Sequence, residues 1–152
     1  KYKKEGFSCK RKQCIKIIKK EYYNNNKEQV RIVNDTYHRY KTTTDSTYKL
    51  KRSTSHIIRE SFKRTCNGGF VKSSKSLDIL GCTIEDFIKH LQSLFTDGMT
   101  LENHGNCEEC WHIDHKIPIS SAKIEEDIIR LNHYTNLQPL WRGDNLSKGN
   151  KY

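Results

Sequence analysis

Trp111-His112-Ile113-Asp114-His115-Lys116-Ile117-Pro118 sets a carboxylate and an imidazole side by side at the end of a short apolar run. Trp111, Ile113 and His115 alternate with His112 and Asp114, the period of a half-buried strand, and Pro118 stops it. A second cluster follows, Tyr134-Thr135-Asn136-Leu137-Gln138-Pro139-Leu140. Leu137 to Trp141 reads as a second short strand, with Pro139 placing it at a sheet edge. Between the two, Ser120-Ser121 is expected to cap a helix that carries Ile124, Ile128 and Leu131 on one face, with Glu125, Glu126 and Asp127 turned to solvent. Gly143-Asp144 begins a last helix bearing Asn145 and Lys148. The order is strand, loop, strand, helix, in an α+β chain.

Upstream, Thr83 is a plausible N-cap with Glu85 and Asp86 in the first turn, where the helix dipole favours acids. Ile84, Phe87, Ile88, Leu91 and Leu94 then recur at helical spacing, a stripe that reads as core, and Asp97-Gly98 closes the helix. His56 to Arg64 is also helical in pattern, and Asn67-Gly68-Gly69 breaks it. Residues 24–56 hold an Asn run and a Thr/Ser run, Thr42 to Thr47, which favour turns and extended chain over helix. There Tyr37, Tyr40 and Tyr48 interleave with Arg39, Lys41, Lys49, Lys51 and Arg52. This pattern fits a reader of nucleic-acid backbone as well as a solvated linker. Ile15, Ile18 and Tyr22, spaced by Lys16, Lys19 and Lys20, predict a basic helix from Ile15 to about Asn24.

Charge divides the chain. Residues 1–75 carry 21 Lys and Arg against 6 Asp and Glu, while residues 76–152 carry 7 against 12. A basic half releases counterions from a phosphate backbone, and an acidic half holds a cation. In a chain of 152 residues, 34% hydrophobic and 30% charged residues argue against a large core. No apolar run approaches the roughly 18 residues of a membrane span. With no secretory signal in view, the expectation is an intracellular protein, not secreted, with its six cysteines reduced. A lysine at position 1 suggests a fragment or a processed chain. Cys9 and Cys14 read as half of a zinc knuckle, with Cys107 and Cys110 or residues before Lys1 as the other half; two unliganded cysteines in a frayed arm are the alternative.

Phosphodiester hydrolysis needs a base for water and positive charge at the leaving oxygen, which one imidazole and one divalent cation supply. Asp114 and Asn145 form a hard half-shell suited to one Mg2+ or Mn2+ ion. His115 is the candidate general base, and Asn136 the residue that holds the loop through backbone hydrogen bonds. Lys148, and with it Arg142, is expected to contact the scissile phosphate. Lys10, Arg11, Lys12, Arg39, Lys51 and Arg52 are the candidate nucleic-acid contacts. His112 is a competing metal ligand, since it shares a strand face with Asp114; a DNA contact or a packed ring fits it as well. His133 reads as structural, and His38, His56, His90 and His104 as surface or packing residues. Trp111 and Trp141 are core anchors, and Cys82 packs as a small apolar residue.

Trp-His-Ile-Asp-His-Lys-Ile-Pro, followed by Asn-Leu-Gln-Pro-Leu-Trp and Asp-Asn-Leu-Ser-Lys-Gly, resembles the HNH endonucleases of the ββα-metal fold, above all their phage and large-virus members. The resemblance covers roughly residues 78–152. It implies a ββα-metal core over residues 101–152; the helical pattern and the charge division add a helical connector over 56–100 and a basic arm over 1–55, with Cys9 and Cys14 as the zinc half-site. It equates Asp114 with the metal-binding acid, His115 with the base, Asn136 with the middle Asn and Asn145 with the third, metal-binding position. It further implies a divalent-metal-dependent hydrolase that cuts DNA to leave a 3′-hydroxyl and a 5′-phosphate. Cys107 and Cys110 depart from the expected pattern. The competing expectation is a non-catalytic, zinc-containing nucleic-acid-binding module. No residue separates DNA from RNA as partner, or a monomer from a homodimer.

Overall fold

The computed structural model describes the backbone of residues 8–65 and 74–151, and the side chains of residues 13–65 and 74–151. Cys66, Asn67-Gly68-Gly69 and the side chains of Cys9, Lys10, Arg11 and Lys12 lie outside the described residues. The chain divides into two compact units, residues 1–42 and 43–152.

The first unit is helical. Helix α1 spans Ser8–Asn25 and α2 spans Lys27–Thr44, with Asn26 between them. The extended chain expected over residues 24–56 is corrected. Val30, Val33, Tyr37 and Tyr40 recur at spacings of three and four, which overrides the turn preference of the polar runs. The threonines fit because their hydroxyls bond back into the helix: Thr36 Oγ1 donates to the Ile32 carbonyl and Thr42 Oγ1 to that of His38, 2.8 and 2.9 Å. Cys9 and Cys14 both stand on the continuous backbone helix α1.

The second unit holds the core. Helix α3 runs Ser46–Thr65, starting ten residues earlier than the sequence pattern suggests. Asp45 makes that start, since its Oδ1 accepts the Tyr48 amide at 2.9 Å. The boundary between the two units falls at residues 42 and 43, in the last turn of α2. Helix α4 (Ser76–Leu80) ends at Gly81, whose φ of 79° is left-handed. Helix α5 (Ile84–Gln92) has the Thr83 cap the sequence announces, with Thr83 Oγ1 accepting the Asp86 amide. It stops at Ser93 rather than at Asp97-Gly98, and Leu94 is exposed.

Strands β1 (Trp111–His115) and β2 (Leu137–Trp141) pair antiparallel, Trp111 opposite Trp141 and Asp114 opposite Gln138. Between them come a 3-10 turn at Ile119–Ser121, helix α6 (Glu125–Leu131) and a 3-10 turn at Tyr134–Asn136. Ile128 and Leu131 of α6 are buried, whereas Ile124, its N-cap, is exposed. Helix α7 (Arg142–Lys148) closes the described fold and packs on both strands. Trp111 and Ile113 point to one side of the sheet, into a core with Leu50, Ile58 and Phe62 of α3 and Phe87 and Leu91 of α5. Trp111 is fully buried, its indole N–H donating to the Thr100 carbonyl and its ring against Phe95 and His104. The protein is thus α+β, and no helix among the described residues is long and apolar enough to cross a membrane.

Candidate active site

Strand alternation decides which side chains meet. His112 and Asp114 leave β1 on the face away from the core, and α7 lies over that face. Asn145 and Lys148 are one helical turn apart on α7, so both reach down to it. The Asn145 amide donates from Nδ2 to His112 Nδ1 at 3.0 Å. Lys148 Nζ donates to Asp114 Oδ2 at 2.8 Å and also binds the His115 carbonyl. Gln138, opposite Asp114 in the register, adds its own amide N–H to Oδ2 at 2.9 Å. Asp114 is buried, and both ends of the Asp114–Lys148 pair are largely shielded, with side chains 10% and 15% exposed.

In this fold the Lys148 ammonium pairs with the Asp114 carboxylate. One carboxylate oxygen stays open: Asp114 Oδ1 accepts no hydrogen bond among the described residues and is not sealed off from solvent. The oxygen donors on this face are Asp114 Oδ1 and the Asn145 amide oxygen, hard ligands of the kind Mg2+ or Mn2+ takes, with the softer His112 imidazole beside them. Among the described residues no three His, Cys, Asp or Glu side chains gather as a metal cluster; the set depends on an asparagine. The lone pair of His112 Nδ1 takes the Asn145 amide N–H, and the basicity of the ring is lowered by burial first and then by the Arg142 guanidinium.

His115 turns to the opposite face. Its ring lines a cleft of about 210 Å3 together with His56, Glu60, Ser61 and Arg64 of α3 and Ile119. Burial lowers its basicity first, and the Lys148 ammonium acts in the same direction. A hydrogen bond to Asn132 and the Asp114 carboxylate oppose them without reversing the shift. The ring is thus neutral at pH 7, the form a general base requires. Its Nε2 meets Asn132 Oδ1 at 3.0 Å.

Asn136 secures the chain between these groups. Its Oδ1 accepts the Ile117 amide, and its Nδ2 donates to the carbonyls of Ile117 and Leu131. Its own carbonyl accepts the Lys116 amide at 2.8 Å. These bonds tie the exit of β1 to the entry of β2. His133 is structural: its Nδ1 bonds Thr135 Oγ1 and its ring packs on Gly81. His90 is structural too, bonding the Leu137 carbonyl at 3.0 Å.

Cys107 and Cys110 form a disulfide, which corrects the expectation of reduced thiols at this pair. The Cys110 amide donates to the Cys107 carbonyl, and the resulting turn brings the two α-carbons to 5.0 Å, within bridging range. A bridged pair offers no thiolate to zinc. Cys14 is an exposed free thiol on α1. Cys82 is half-buried against the core, where burial pushes its thiol pKa up.

Sequence reasoning missed Gln138, Asn132 and Ser61. Gln138 becomes visible once the strand register is known. Asn132 and Ser61 meet across 71 positions, and no local pattern announces them.

Among curated proteins, the chain is similar to the uncharacterized protein L246 of Acanthamoeba polyphaga mimivirus. The two are 30% identical over 125 residues, covering 81% of this chain and 51% of the relative. It is also similar to the uncharacterized protein L426 of the same virus, 32% identical over 111 residues, covering 71% of this chain and 45% of the relative. The chain thus spans about half the length of the curated relatives it matches. No family model matches it, and no solved structure does.

Proposed function

We propose that this chain carries a divalent-metal-dependent endonuclease centre of the HNH, ββα-metal kind, acting on DNA. The observation that carries the reading is the overlay of α7 on β1. It gathers Asp114, Asn145 and His112 on one face of the strand end, one residue from a neutral imidazole at His115 that opens on a cleft.

In this reading Asp114 and Asn145 hold one Mg2+ or Mn2+ ion, with His112 as a further candidate ligand. The bound ion supplies positive charge to the scissile phosphate and its departing oxygen. His115 accepts the proton of the attacking water, and burial keeps the ring in its basic form. Asn136 sets the angle of the loop that follows His115. In this reading Arg64 and His56, which also line the His115 cleft, meet a backbone phosphate there. The exposed Lys51 and Arg52 of α3 meet the polyanion in this reading, and the sequence candidates Arg39, Lys10, Arg11 and Lys12 add positive charge to the chain.

The Lys148–Asp114 pair favours a second reading, because it neutralises the carboxylate from within the fold. In that reading the unit binds nucleic acid, and the nuclease-like end is structural. A supercoiled-plasmid assay with Mg2+, Mn2+ or EDTA separates the two. The first reading expects nicking that EDTA abolishes and that His115→Ala lowers by about 100-fold or more, with DNA affinity unchanged. Cleavage by His115→Ala at the wild-type rate, or none by the wild type with either metal, sinks it.

A further inference from the structure

Asn132 is a fully buried polar side chain at the C-terminal end of α6. Three elements meet on its amide. Its Nδ2 donates to the Ile128 carbonyl at 2.8 Å. Its Oδ1 takes the Ser61 hydroxyl of α3 at 3.2 Å and stands 3.0 Å from His115 Nε2 of β1. The Ile128 carbonyl can only accept, so the nitrogen of the amide must face it and the oxygen must face the ring. An oxygen at 3.0 Å then requires a proton on Nε2. The other tautomer would set two lone pairs against each other in a place without water. With the proton on Nε2, the lone pair of the neutral ring lies on Nδ1. That atom takes no hydrogen bond from any described residue and is not sealed off from solvent.

We propose that Asn132, braced by Ser61, is the positioning residue that locks His115 as the Nε2–H tautomer and so makes Nδ1 the proton-accepting atom. The proposal rests on the nuclease reading for what the ring does, and on hydrogen-bond geometry alone for which nitrogen carries the proton. The pair reaches the ring through β1, α3 and α6, so it also fixes how the imidazole is turned into the cleft. Ser61 shares its hydroxyl proton with the Ile57 carbonyl at 2.9 Å, which leaves the Asn132 oxygen with capacity for a full bond from His115.

The test is the side-chain nitrogen spectrum of 15N-labelled protein, read without added metal at a pH where the ring is neutral. Signals are assigned by their loss in His115→Ala. The wild type is expected to show a protonated Nε2 and a bare Nδ1, with the Nε2 proton protected from exchange. In Asn132→Leu, which keeps the volume and removes the acceptor, the two tautomers are expected to mix. Plasmid nicking with Mg2+ or Mn2+ should then fall at least about tenfold, as expected when a catalytic imidazole loses its tautomer, with DNA affinity unchanged. A wild-type ring protonated on Nδ1, or an unchanged tautomer in folded Asn132→Leu, overturns the proposal while leaving the nuclease reading in place. If Asn132→Leu does not fold, the wild-type spectrum and its exchange protection decide. Absence of nicking by the wild type, with the Nε2–H tautomer observed, counts against the nuclease reading and not against the lock.

Discussion

His115 and Asp114 are neighbours in sequence and yet serve opposite faces of one strand. Asp114 and Lys148 form a shielded ion pair in which each partner is the other's main compensation for leaving water. Asp114→Ala would strand the ammonium, so it is expected to cost about 3 kcal/mol of stability as well as cleavage. Lys148→Met in the same background should return much of that loss in urea unfolding, because it removes the orphaned charge; no recovery would show that the pair is weakly coupled. His104 supplies a second residue-scale prediction. It is buried beside Trp111 with no partner for Nδ1 among the described residues, and burial, reinforced by Lys49 and His112, lowers its pKa to about 4. The folded state therefore resists protonation that the unfolded chain accepts near pH 6.5. Stability from this group is complete above about 6.5 and drains as the pH falls towards 4, by about 3 kcal/mol in total. Urea midpoints measured between pH 7 and 4 should fall, and fall less in His104→Phe; equal slopes would contradict this.

Helices and strands here are stopped and joined by single residues. Gly81 ends α4 in the left-handed region, and a β-carbon there would run into the His133 ring, which Thr135 holds in place. Gly81→Ala is expected to cost at least about 1–2 kcal/mol from backbone conformation alone. It should also displace the Asn132–Asn136 segment, visible as shifted amide resonances there. Unchanged resonances would mean the ring moves aside freely. The Thr83 cap was legible because it depends only on residues within one turn. The helices over residues 24–56 were not, because single-residue turn preferences weigh less than a stripe of Val30, Val33, Tyr37 and Tyr40 at helical spacing. Threonine hydroxyls that bond back into the helix remove the competition.

Across the whole molecule, charge is the dominant asymmetry. Residues 1–75 carry a net +15 and residues 76–152 a net −5. Binding to DNA is expected to weaken steeply with salt, by about 0.9 in log–log slope for each phosphate contacted. Replacing Lys10, Arg11 and Lys12 with Gln should reduce that slope by up to about 2.7 and leave the cleavage rate of bound DNA unchanged. Filter-binding isotherms across a salt series, with single-turnover rates at saturating protein, check both parts. A slope equal to that of the wild type would remove these three side chains from the interface.

The sequence by itself determined the strand–strand–helix order after residue 110, the α5 cap, the charge division and the candidate residues Asp114, His115, Asn136 and Asn145, because periodicity, caps and formal charge are properties of neighbours along the chain. Only the tertiary structure decided that Lys148 lies on Asp114, that Gln138 faces it across the sheet, that Cys107 and Cys110 are bridged, and that Asn132 and Ser61 meet at the His115 ring. Those pairings depend on register, on helix rotation and on which buried polar groups find each other. Such choices arise only when distant segments close a common core and water is no longer there to satisfy each group separately.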